Sequence, residues 1–298
     1  MLDVRRLVLL REVHLRGSIT AAALALSYTH SAVSQQLALL EKEAGVTLLE
    51  KVGRGVQLTP AAEELVAHTS EILAVLERAE ADLAAGDARV RGTLRLAAFS
   101  TISRYTVPQL IEVLDEQHPA LDVRFRQVEP EEGLRLLSSR RLDVLVVDSY
   151  PGTTTPVPEG LEAELLTHDP IHAYLPPSGS PRPRHPADVR WVLEPSGTES
   201  HSWGRRVCQE HGFEPDVAYE SDDLLFHLRM VEAGLAAAFL PDLLVREAGA
   251  TLTPAPLLDI DQQRQISMIY RSGSRRRPAI SACREAFVDL LASTSRGR

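Results

Sequence analysis

The chain has little cysteine, with only Cys208 and Cys283 among its 298 residues. Two cysteines so far apart in sequence do not build a disulfide scaffold, which predicts a reducing compartment. No basic-then-apolar signal segment stands at the N-terminus, and no apolar run reaches the roughly 20 residues of a membrane-spanning helix. A cytoplasmic protein without membrane contact is therefore expected. We interpret Cys208 as a structural helix residue, because no second cysteine lies near it in sequence to resolve an oxidised thiol.

The sequence also lacks the motifs of the common α/β enzymes. It contains no P-loop, no Gly-x-Gly-x-x-Gly segment after the first predicted strand of the body and no Gly-x-Ser-x-Gly elbow. Its histidines are not spaced as metal ligands, since His201 and His211 stand ten positions apart around one predicted helix. The sequence therefore predicts no enzyme, no cofactor and no metal site.

Negative charge dominates the chain, with a formal net charge of −9 at pH 7. This charge opposes nonspecific binding of nucleic acid by the chain as a whole. Residues 1–59 differ, because seven lysine and arginine side chains there outnumber five acidic ones, which leaves −11 for the rest. Any contact with DNA is therefore expected within the first 59 residues.

The N-terminal segment has the pattern of a helix-turn-helix. The apolar residues of a first predicted helix recur at helical spacing: Leu2, Leu7, Leu10 and Val13. Gly17 suits the left-handed position that ends this helix, and Ser18 is placed as the N-cap of an alanine-rich second helix. Thr29 is a plausible N-cap for a third helix. The apolar side of that third helix consists of Val33, Leu37 and Leu40.

The opposite side of the third helix is polar and is predicted to read DNA. Glutamine pairs with adenine in the major groove, and serine or threonine pairs with several base edges. A hairpin with strands at 46–51 and 56–58 follows, and its tip would place Arg54 near the minor groove or a phosphate. The candidate DNA-binding residues are Thr29, His30, Ser31, Ser34, Gln35 and Arg54.

A long helix is predicted from Pro60 to about residue 85, with Thr59 as its cap. Its small and apolar positions follow the a/d spacing of a coiled coil: Leu65, Thr69, Ile72, Leu76, Ala79 and Leu83. A rod of about 39 Å, at 1.5 Å per residue, needs a partner for such a seam. We expect a second copy of the chain, because two heads address a two-fold DNA site. The residues expected at this dimer contact are Leu65, Ile72, Leu76 and Leu83.

These segments together resemble the LysR-type transcriptional regulators. The matching segments are 17–22, 32–37, 40–41, 45–46, 48–51 and 58–62. Ser31 and Gln35 replace a proline and an arginine that are frequent in the family's recognition helix. Leu49 and Lys51 replace a phenylalanine and an arginine near its wing. We therefore expect this head to prefer a DNA sequence of its own.

Behind the long helix, predicted strands alternate with helices, as in α/β domains with a largely parallel sheet. The first unit has predicted strands at 93–99, 122–128 and 142–147 and helices at 102–117 and 130–138. The second unit begins with two separate predicted strands at 161–166 and 171–175. The sequence alone thus predicts an α/β body of two units.

The resemblance implies a complete domain organisation. A winged helix-turn-helix occupies residues 1–59, a linker and dimerisation helix residues 60–86, and an effector-binding domain residues 87–298. That domain is expected to be an α/β pair of lobes similar to the type II periplasmic solute-binding proteins, joined by two crossing strands. Lobe I would comprise about 92–164 and 267–298, and lobe II about 165–266.

A cleft between two such lobes is the expected ligand site of this fold. Hydroxyl and backbone N–H groups converge at two strand-to-helix junctions, which suits an anionic or amino-acid-like effector. The candidate effector-binding residues are Ser100, Thr101, Ser196, Gly197 and Thr198. An ordinary N-cap is the alternative for each junction, and the resemblance favours effector contact. The third junction, at residues 221–223, is interpreted as structural because its aspartates repel an anion.

Two functions remain to be distinguished. The head, seam and body in this order predict a DNA-binding transcriptional regulator that responds to a small-molecule effector, whereas the body alone would suit a solute-binding protein. The resemblance further implies a homodimer or homotetramer that binds an inverted repeat of double-stranded DNA and bends it, with RNA polymerase as a further candidate partner. The identity of the effector and of the target genes does not follow from the sequence.

Overall fold

The N-terminal part of the chain forms three helices, a hairpin and a long helix. The computed structural model describes residues 1–26, 28–53, 55–85, 89–153, 156–176, 185–255 and 262–296, with only the backbone of Ala85 and of residues 293–296. Its first elements are α1 (Val4–Arg16), α2 (Ile19–Leu26), α3 (His30–Ala44), β1 (Leu49–Val52), β2 (Gly55–Leu58) and α4 (Pro60–Ala85). Arg54, which the sequence predicts at the tip of the hairpin, lies outside the described residues.

The predicted caps at Gly17, Ser18 and Thr29 set the ends of these helices. Gly17 ends α1 in the left-handed conformation at φ 71°, and Asp3, which was not predicted as a cap, begins it. The Ser18 hydroxyl accepts a hydrogen bond from the N–H of Ala21 at 3.1 Å, and Thr29 caps α3. The predicted apolar face of α3 is fully buried with α1 in one core. The helix-turn-helix prediction is therefore confirmed element by element.

The long helix α4 begins at Pro60 after the Thr59 cap, as predicted. One of its faces packs against α1 and against the body, through a short 3₁₀ turn at Ser272–Ser274. Thr69 lies fully buried on that face, and Leu65 packs onto the core of the head. The predicted a/d seam is therefore wrong at its N-terminal end, because contacts within the chain already cover it.

The body contains eight strands and seven α-helices among its described residues. The strands are β3 (Gly92–Ala98), β4 (Leu121–Gln127), β5 (Val144–Ser149), β6 (Leu161–Tyr174), β7 (Arg190–Leu193), β8 (Asp216–Glu220), β9 (Ala238–Pro241) and β10 (Gln262–Arg271). The helices are α5 (Ser100–Tyr105), α6 (Val107–Gln117), α7 (Pro130–Ser138), α8 (Glu199–Glu210), α9 (Leu224–Glu232), α10 (Asp242–Glu247) and α11 (Pro278–Arg296). None of the described helices is long and apolar enough to cross a membrane.

The two longest strands, β6 and β10, join the two lobes. The larger sheet has the order β4-β3-β5-β10-β6-β9, while β7 and β8 form a second sheet. Strands β3, β4 and β5 are parallel, but β10 runs antiparallel to both β5 and β6, and β9 antiparallel to β6. The prediction of a largely parallel sheet therefore holds for β3 to β5 only, because β10 carries the chain back from lobe II and must run in the opposite direction.

Two predicted element boundaries were wrong, and proline accounts for both. The single helix predicted at 102–117 is divided into α5 and α6 at Thr106, because Pro108 cannot continue the hydrogen bonds of α5. The two strands predicted at 161–166 and 171–175 are one strand, β6, which contains Pro170. Pairing of β6 with β9 begins only at Ile171, so no partner on that side needs an N–H from position 170.

Candidate DNA-reading helix and effector cleft

The outer face of α3 is polar and not used for packing. Thr29, His30, Ser31 and Gln35 are exposed, and Ser34 is half-buried. The Thr29 hydroxyl accepts the N–H of Ala32 at 3.2 Å and lies 3.1 Å from the hydroxyl of Ser31, so it acts first as a cap. The structure therefore brings five of the six predicted DNA-binding residues together on one surface.

Neighbouring polar residues on α3 have structural partners instead. Gln36 accepts a hydrogen bond from Arg6 Nε at 3.0 Å, and Arg6 also pairs with Glu43. Glu41 accepts the N–H groups of Leu48 and Leu49 at 2.8 and 3.1 Å, which ties α3 to the hairpin. These bonds fix the orientation of α3, so that Gln35, one residue away from Gln36, faces outward.

A cavity of about 400 Å³ lies between the two lobes. Ser100 lines it at the start of α5, and Gly197 and Thr198 line it before α8. Thr101 is only 2% exposed and Ser196 is exposed, and neither lines this cavity. Three of the five predicted effector-binding residues thus meet in the cleft.

The Thr198 hydroxyl has structural partners of its own. It accepts the N–H of His201 at 3.2 Å and donates to the carbonyl of Pro195 at 2.9 Å. These bonds are those of an N-cap, so the alternative interpretation of this junction describes its side chain correctly. Beside Thr198, Gly197 contributes to the cavity lining without a side chain.

An ion network at the floor of the cleft was not predicted from the sequence. Arg264 of β10 is fully buried and donates from Nε and Nη2 to Asp169 at 3.0 and 2.9 Å, and from Nη1 to Asp148 at 2.9 Å. Its guanidinium also stands 5.2 Å from the ring centroid of Phe99. Arg264 lies two residues before the strand predicted at 266–271, so no signal in the sequence identified it or its partners on β5 and β6.

Five further acidic residues line the cleft and were also missed, and three of them follow strands. Glu129 precedes α7, Glu194 follows β7, and Asp222 precedes α9. Asp223 caps α9 as expected, through the N–H of Leu225 at 3.0 Å. Asp222, interpreted from the sequence as structural, lines the cavity. All three acids follow the carboxyl ends of strands, a position that marks ligand sites in α/β sheets.

A second buried network connects α4 with lobe I. Arg271 donates from Nε to Glu77 of α4 at 2.7 Å and from Nη2 to Asp143 at 3.2 Å. Arg277 also donates to Asp143 at 2.9 Å, and Arg140 pairs with Glu77 at 3.3 Å. Glu77, Asp143 and Arg271 are all buried, so removal of one partner leaves an uncompensated charge. The network holds the linker helix on the effector-binding body.

Both cysteines are buried in separate cores. Cys208 lies with Trp191 and Trp203 in lobe II, and Cys283 lies in the core of lobe I. Burial raises the pKa of each thiol to about 12, which disfavours the reactive thiolate. The structural interpretation of Cys208 agrees with this environment. No group of three or more histidine, cysteine or acidic residues within the described ranges is arranged to hold a metal ion.

The fold and the two surfaces define a DNA-binding regulator with a ligand-binding body. The family model described as "Bacterial regulatory helix-turn-helix protein, lysR family" matches residues 4–63, and that described as "LysR substrate binding domain" matches residues 87–292. The second match covers more than half of the chain. The chain therefore belongs to the LysR family of bacterial transcriptional regulators, and the alternative of a solute-binding protein without a DNA role is set aside.

Similar proteins span nearly the whole chain. The transcriptional dual regulator GltC of Bacillus subtilis (strain 168) is 25% identical over 280 residues, 92% of each chain. The RuBisCO operon transcriptional regulator of Allochromatium vinosum is 25% identical over 304 residues, 97% of each chain. A probable hydrogen peroxide-inducible genes activator of Streptomyces viridosporus is 28% identical over 289 residues, 90% of this chain and 89% of that protein. These relatives are named as regulators and not as enzymes.

Solved structures show the same fold. A full-length OxyR variant from Pseudomonas aeruginosa has a TM-score of 0.64 at 20% identity and covers 97% of this chain and 98% of its own. CbnR in complex with its target DNA has a TM-score of 0.51 at 22% identity and covers 99% of this chain and all of its own. The predicted combination of winged helix-turn-helix, linker helix and two-lobed body is therefore confirmed.

Proposed function

We propose that two copies of this chain read an inverted-repeat operator, each through the outer face of α3. The observation that carries this proposal is the exposed side chain of Gln35, which has a structurally engaged neighbour in Gln36 but stays outside the packing of the head. An exposed amide on a rigid helix is suited to bidentate pairing with adenine in the major groove. His30, Ser31 and Ser34 lie on the same surface and supply further base contacts.

The second copy is held through α4. Ile72, Leu76 and Leu83 are 39%, 47% and 82% exposed in the single chain, and Val75 is exposed beside them. An apolar stripe of this kind on a helix is stabilised when a second stripe covers it. Leu65 makes a smaller contribution than predicted, because it already packs on the head. The dimer places two α3 helices on one operator, and two such dimers form the tetramer implied by the family.

The effector binds in the cleft between the lobes and acts through α4. Closure of the cleft moves lobe I, and the ion network of Glu77 and Arg271 transmits that movement to the linker helix. An effector shifts the arrangement of the heads only if it binds one cleft geometry better than the other. RNA polymerase is the partner that reads this shift on DNA, and the cytoplasm is the compartment where these contacts are made.

Peroxide sensing by a thiol is not part of this proposal. One similar protein is named as a hydrogen peroxide-inducible genes activator. Here Cys208 and Cys283 are buried in different cores, with thiol pKa values of about 12. Neither thiol is therefore placed to react with an oxidant or to form a disulfide with the other.

A gel-shift assay on the DNA that flanks this gene tests the reading of bases by α3. Gln35→Ala and Ser34→Ala should each weaken the specific complex by about 1–3 kcal/mol, because each removes a base contact. Gln109→Ala, an exposed change on α6 of the body, is the matched control and should bind as the unaltered protein does. An equal loss on specific and random DNA would show that α3 contacts only the backbone.

A further inference from the structure

The inter-lobe cleft is strongly acidic. Among the described residues that line it, six carry a carboxylate and one carries a basic group, Arg264. The carboxylates are those of Glu129, Glu131, Asp148, Glu194, Glu199 and Asp222. A cavity with this charge attracts cations and repels anions.

The positive charge of Arg264 is not available to bind an anionic ligand. All three of its donor nitrogens bond to carboxylates, two to Asp169 and one to Asp148, and its side chain is inaccessible to solvent. An anionic effector would have to displace Asp148 from a buried charge pair, which is costly. The expectation of an anionic effector is therefore not favoured by the cleft.

The acidic side chains face each other across the two lobes. Glu129 and Asp148 belong to lobe I, whereas Glu194 and Asp222 belong to lobe II. Burial together with the charge of Asp148 raises the pKa of Glu194 to about 8. Burial and the charges of Asp222 and Asp148 also raise the pKa of Glu129. The two walls therefore resist carrying full negative charge together, and a bound cation both favours ionisation of these carboxyl groups and offsets their repulsion.

Glu194 is the carboxylate most in need of a partner. Its side chain is half-buried at the cavity wall, and within the described part of the chain its carboxylate accepts no hydrogen bond and forms no ion pair. A carboxylate that is partly removed from water is destabilised in its charged form, and a cationic partner relieves this. The backbone carbonyl oxygen of the same residue lies 2.8 Å from Nδ1 of His201. Of these two groups, only the carboxylate of Glu194 therefore lacks a partner among the described residues.

The spacing of the carboxylates excludes one small ion as their common partner. The described residues contain no group of three acidic, histidine or cysteine side chains that converges on a metal position. Apolar side chains also line the cavity, namely Phe99 and Leu134 of lobe I and Leu224 of lobe II. A molecule that carries positive groups on a hydrocarbon chain suits a lining that is both acidic and apolar.

We propose that the effector is an organic cation of the diamine or polyamine class. Its ammonium groups bind Glu129 on lobe I and Glu194 and Asp222 on lobe II, and its methylene chain packs between Phe99 and Leu224. By neutralising both walls it favours the closed cleft. This proposal rests on the proposed function, in which the cleft holds the effector.

The test is a thermal-shift titration of the full-length protein without DNA, at constant ionic strength. The probes are spermidine, 1,4-diaminobutane, n-butylamine, glutarate and MgCl₂. Spermidine and 1,4-diaminobutane should raise the melting temperature in a saturable manner, because they bind the folded state only. The other three probes should leave it unchanged.

Variants localise the binding. Glu194→Gln and Asp222→Asn should each weaken the affinity for spermidine by about tenfold, the loss of one charge-assisted hydrogen bond. Glu116→Gln, which removes an exposed carboxylate on α6, is the matched control and should bind as before. Glu194→Gln replaces a half-buried carboxyl group without a partner by a neutral group of similar size, so it should fold at least as well as the unaltered chain.

Several results would overturn this proposal. They are a shift with glutarate, an equal shift with n-butylamine or MgCl₂, no shift with either amine, and unchanged spermidine affinity in both variants. The gel shift on flanking DNA is performed without any amine, so it tests the proposed function independently of the effector's identity. A specific DNA complex with a glutarate response would keep the regulator and reject the cation.

Discussion

At the scale of single residues, Glu194 has a carboxylate whose burial and charged neighbours both oppose ionisation. Its pKa is raised to about 8, first by burial and then by the charge of Asp148. The folded state therefore holds a proton that the unfolded chain releases at its ordinary pKa of 4.5. Because the folded state binds more protons between these two values, the free energy of unfolding falls as pH rises from about 4.5 to about 8.

Glu194→Gln should remove this part of the pH dependence. The variant should gain stability over the unaltered protein as pH rises through that window, on the order of 1.4 kcal/mol for each unit of pKa difference. Chemical denaturation at pH 5 and pH 8 measures the difference. Glu116→Gln is the control, and a variant that gains no stability at pH 8 would show that Glu194 finds a partner in solution.

The sequence predicted capping residues well and cleft residues poorly. Ser18, Thr29 and Thr59 could be assigned because a cap depends on the next three residues of the chain. The role of Thr101 and that of Asp222 depend on which way a side chain faces after two lobes have formed. A pattern along the chain does not contain that information, so Thr101 was expected in the cleft and Asp222 was not.

At the scale of elements, the linker helix α4 has two apolar faces with different partners. One face meets the head and lobe I, and the other exposes Ile72, Val75 and Leu76. Spacing of 4 and 3 residues predicted a seam but not its extent, because the contacts of α4 with its own body were unknown. The exposed stripe starts at Ile72, about two helical turns after Leu65, where the sequence indicated the start of the seam.

Leu76→Glu should weaken the dimer. A carboxylate buried in a helix-to-helix contact has no partner there, so the dissociation constant should rise by at least about tenfold. Sedimentation velocity over a range of protein concentrations measures this change. Leu235→Glu, at an exposed turn of lobe II, is the matched control. If Leu76→Glu sediments like the control, the dimer is formed elsewhere.

Gly273→Ala should displace α4 from the body. A Cβ at this position would lie 2.5 Å from the carbonyl oxygen of Ala74 and 3.1 Å from Cβ of Glu77, and backbone atoms cannot move aside alone. We expect a loss of about 1–3 kcal/mol, the usual cost of overpacking. The change should also weaken the bond between Arg271 and Glu77.

Thermal unfolding and limited proteolysis of residues 60–85 measure this displacement. Gly55→Ala is the control, because a Cβ there meets nothing closer than 3.8 Å. Unchanged stability and unchanged cleavage in Gly273→Ala would mean that α4 is not docked on lobe I in solution.

At the scale of the whole molecule, the DNA-binding head and the effector-binding body carry net charges of opposite sign. A head with a small positive charge precedes a remainder of the chain with a net charge of −11, and six carboxylate side chains line the inter-lobe cleft. In our proposal the same negative charge that confines DNA to the head also favours a cationic effector. One composition thus contributes to both recognition events.

The order of domains could be predicted because each has a local pattern. The mixed sheet could not, since the antiparallel position of β10 beside β5 and β6 is a contact between residues more than 90 positions apart. The network of Arg264 with Asp148 and Asp169 could not be predicted either, because it also joins residues far apart in the sequence. Long-range pairing determines the floor of the cleft, and with it the environment of the ligand.

A DNase footprint of the full-length protein on the DNA flanking its gene tests the central claim most directly. The claim predicts two protected half-sites of an inverted repeat on one face of the duplex, separated by about one helical turn or a multiple of it. Gln35→Ala should lose both half-sites together, because each protomer contributes one α3. Protection that is absent, or no stronger than on random DNA of the same length, would contradict the account.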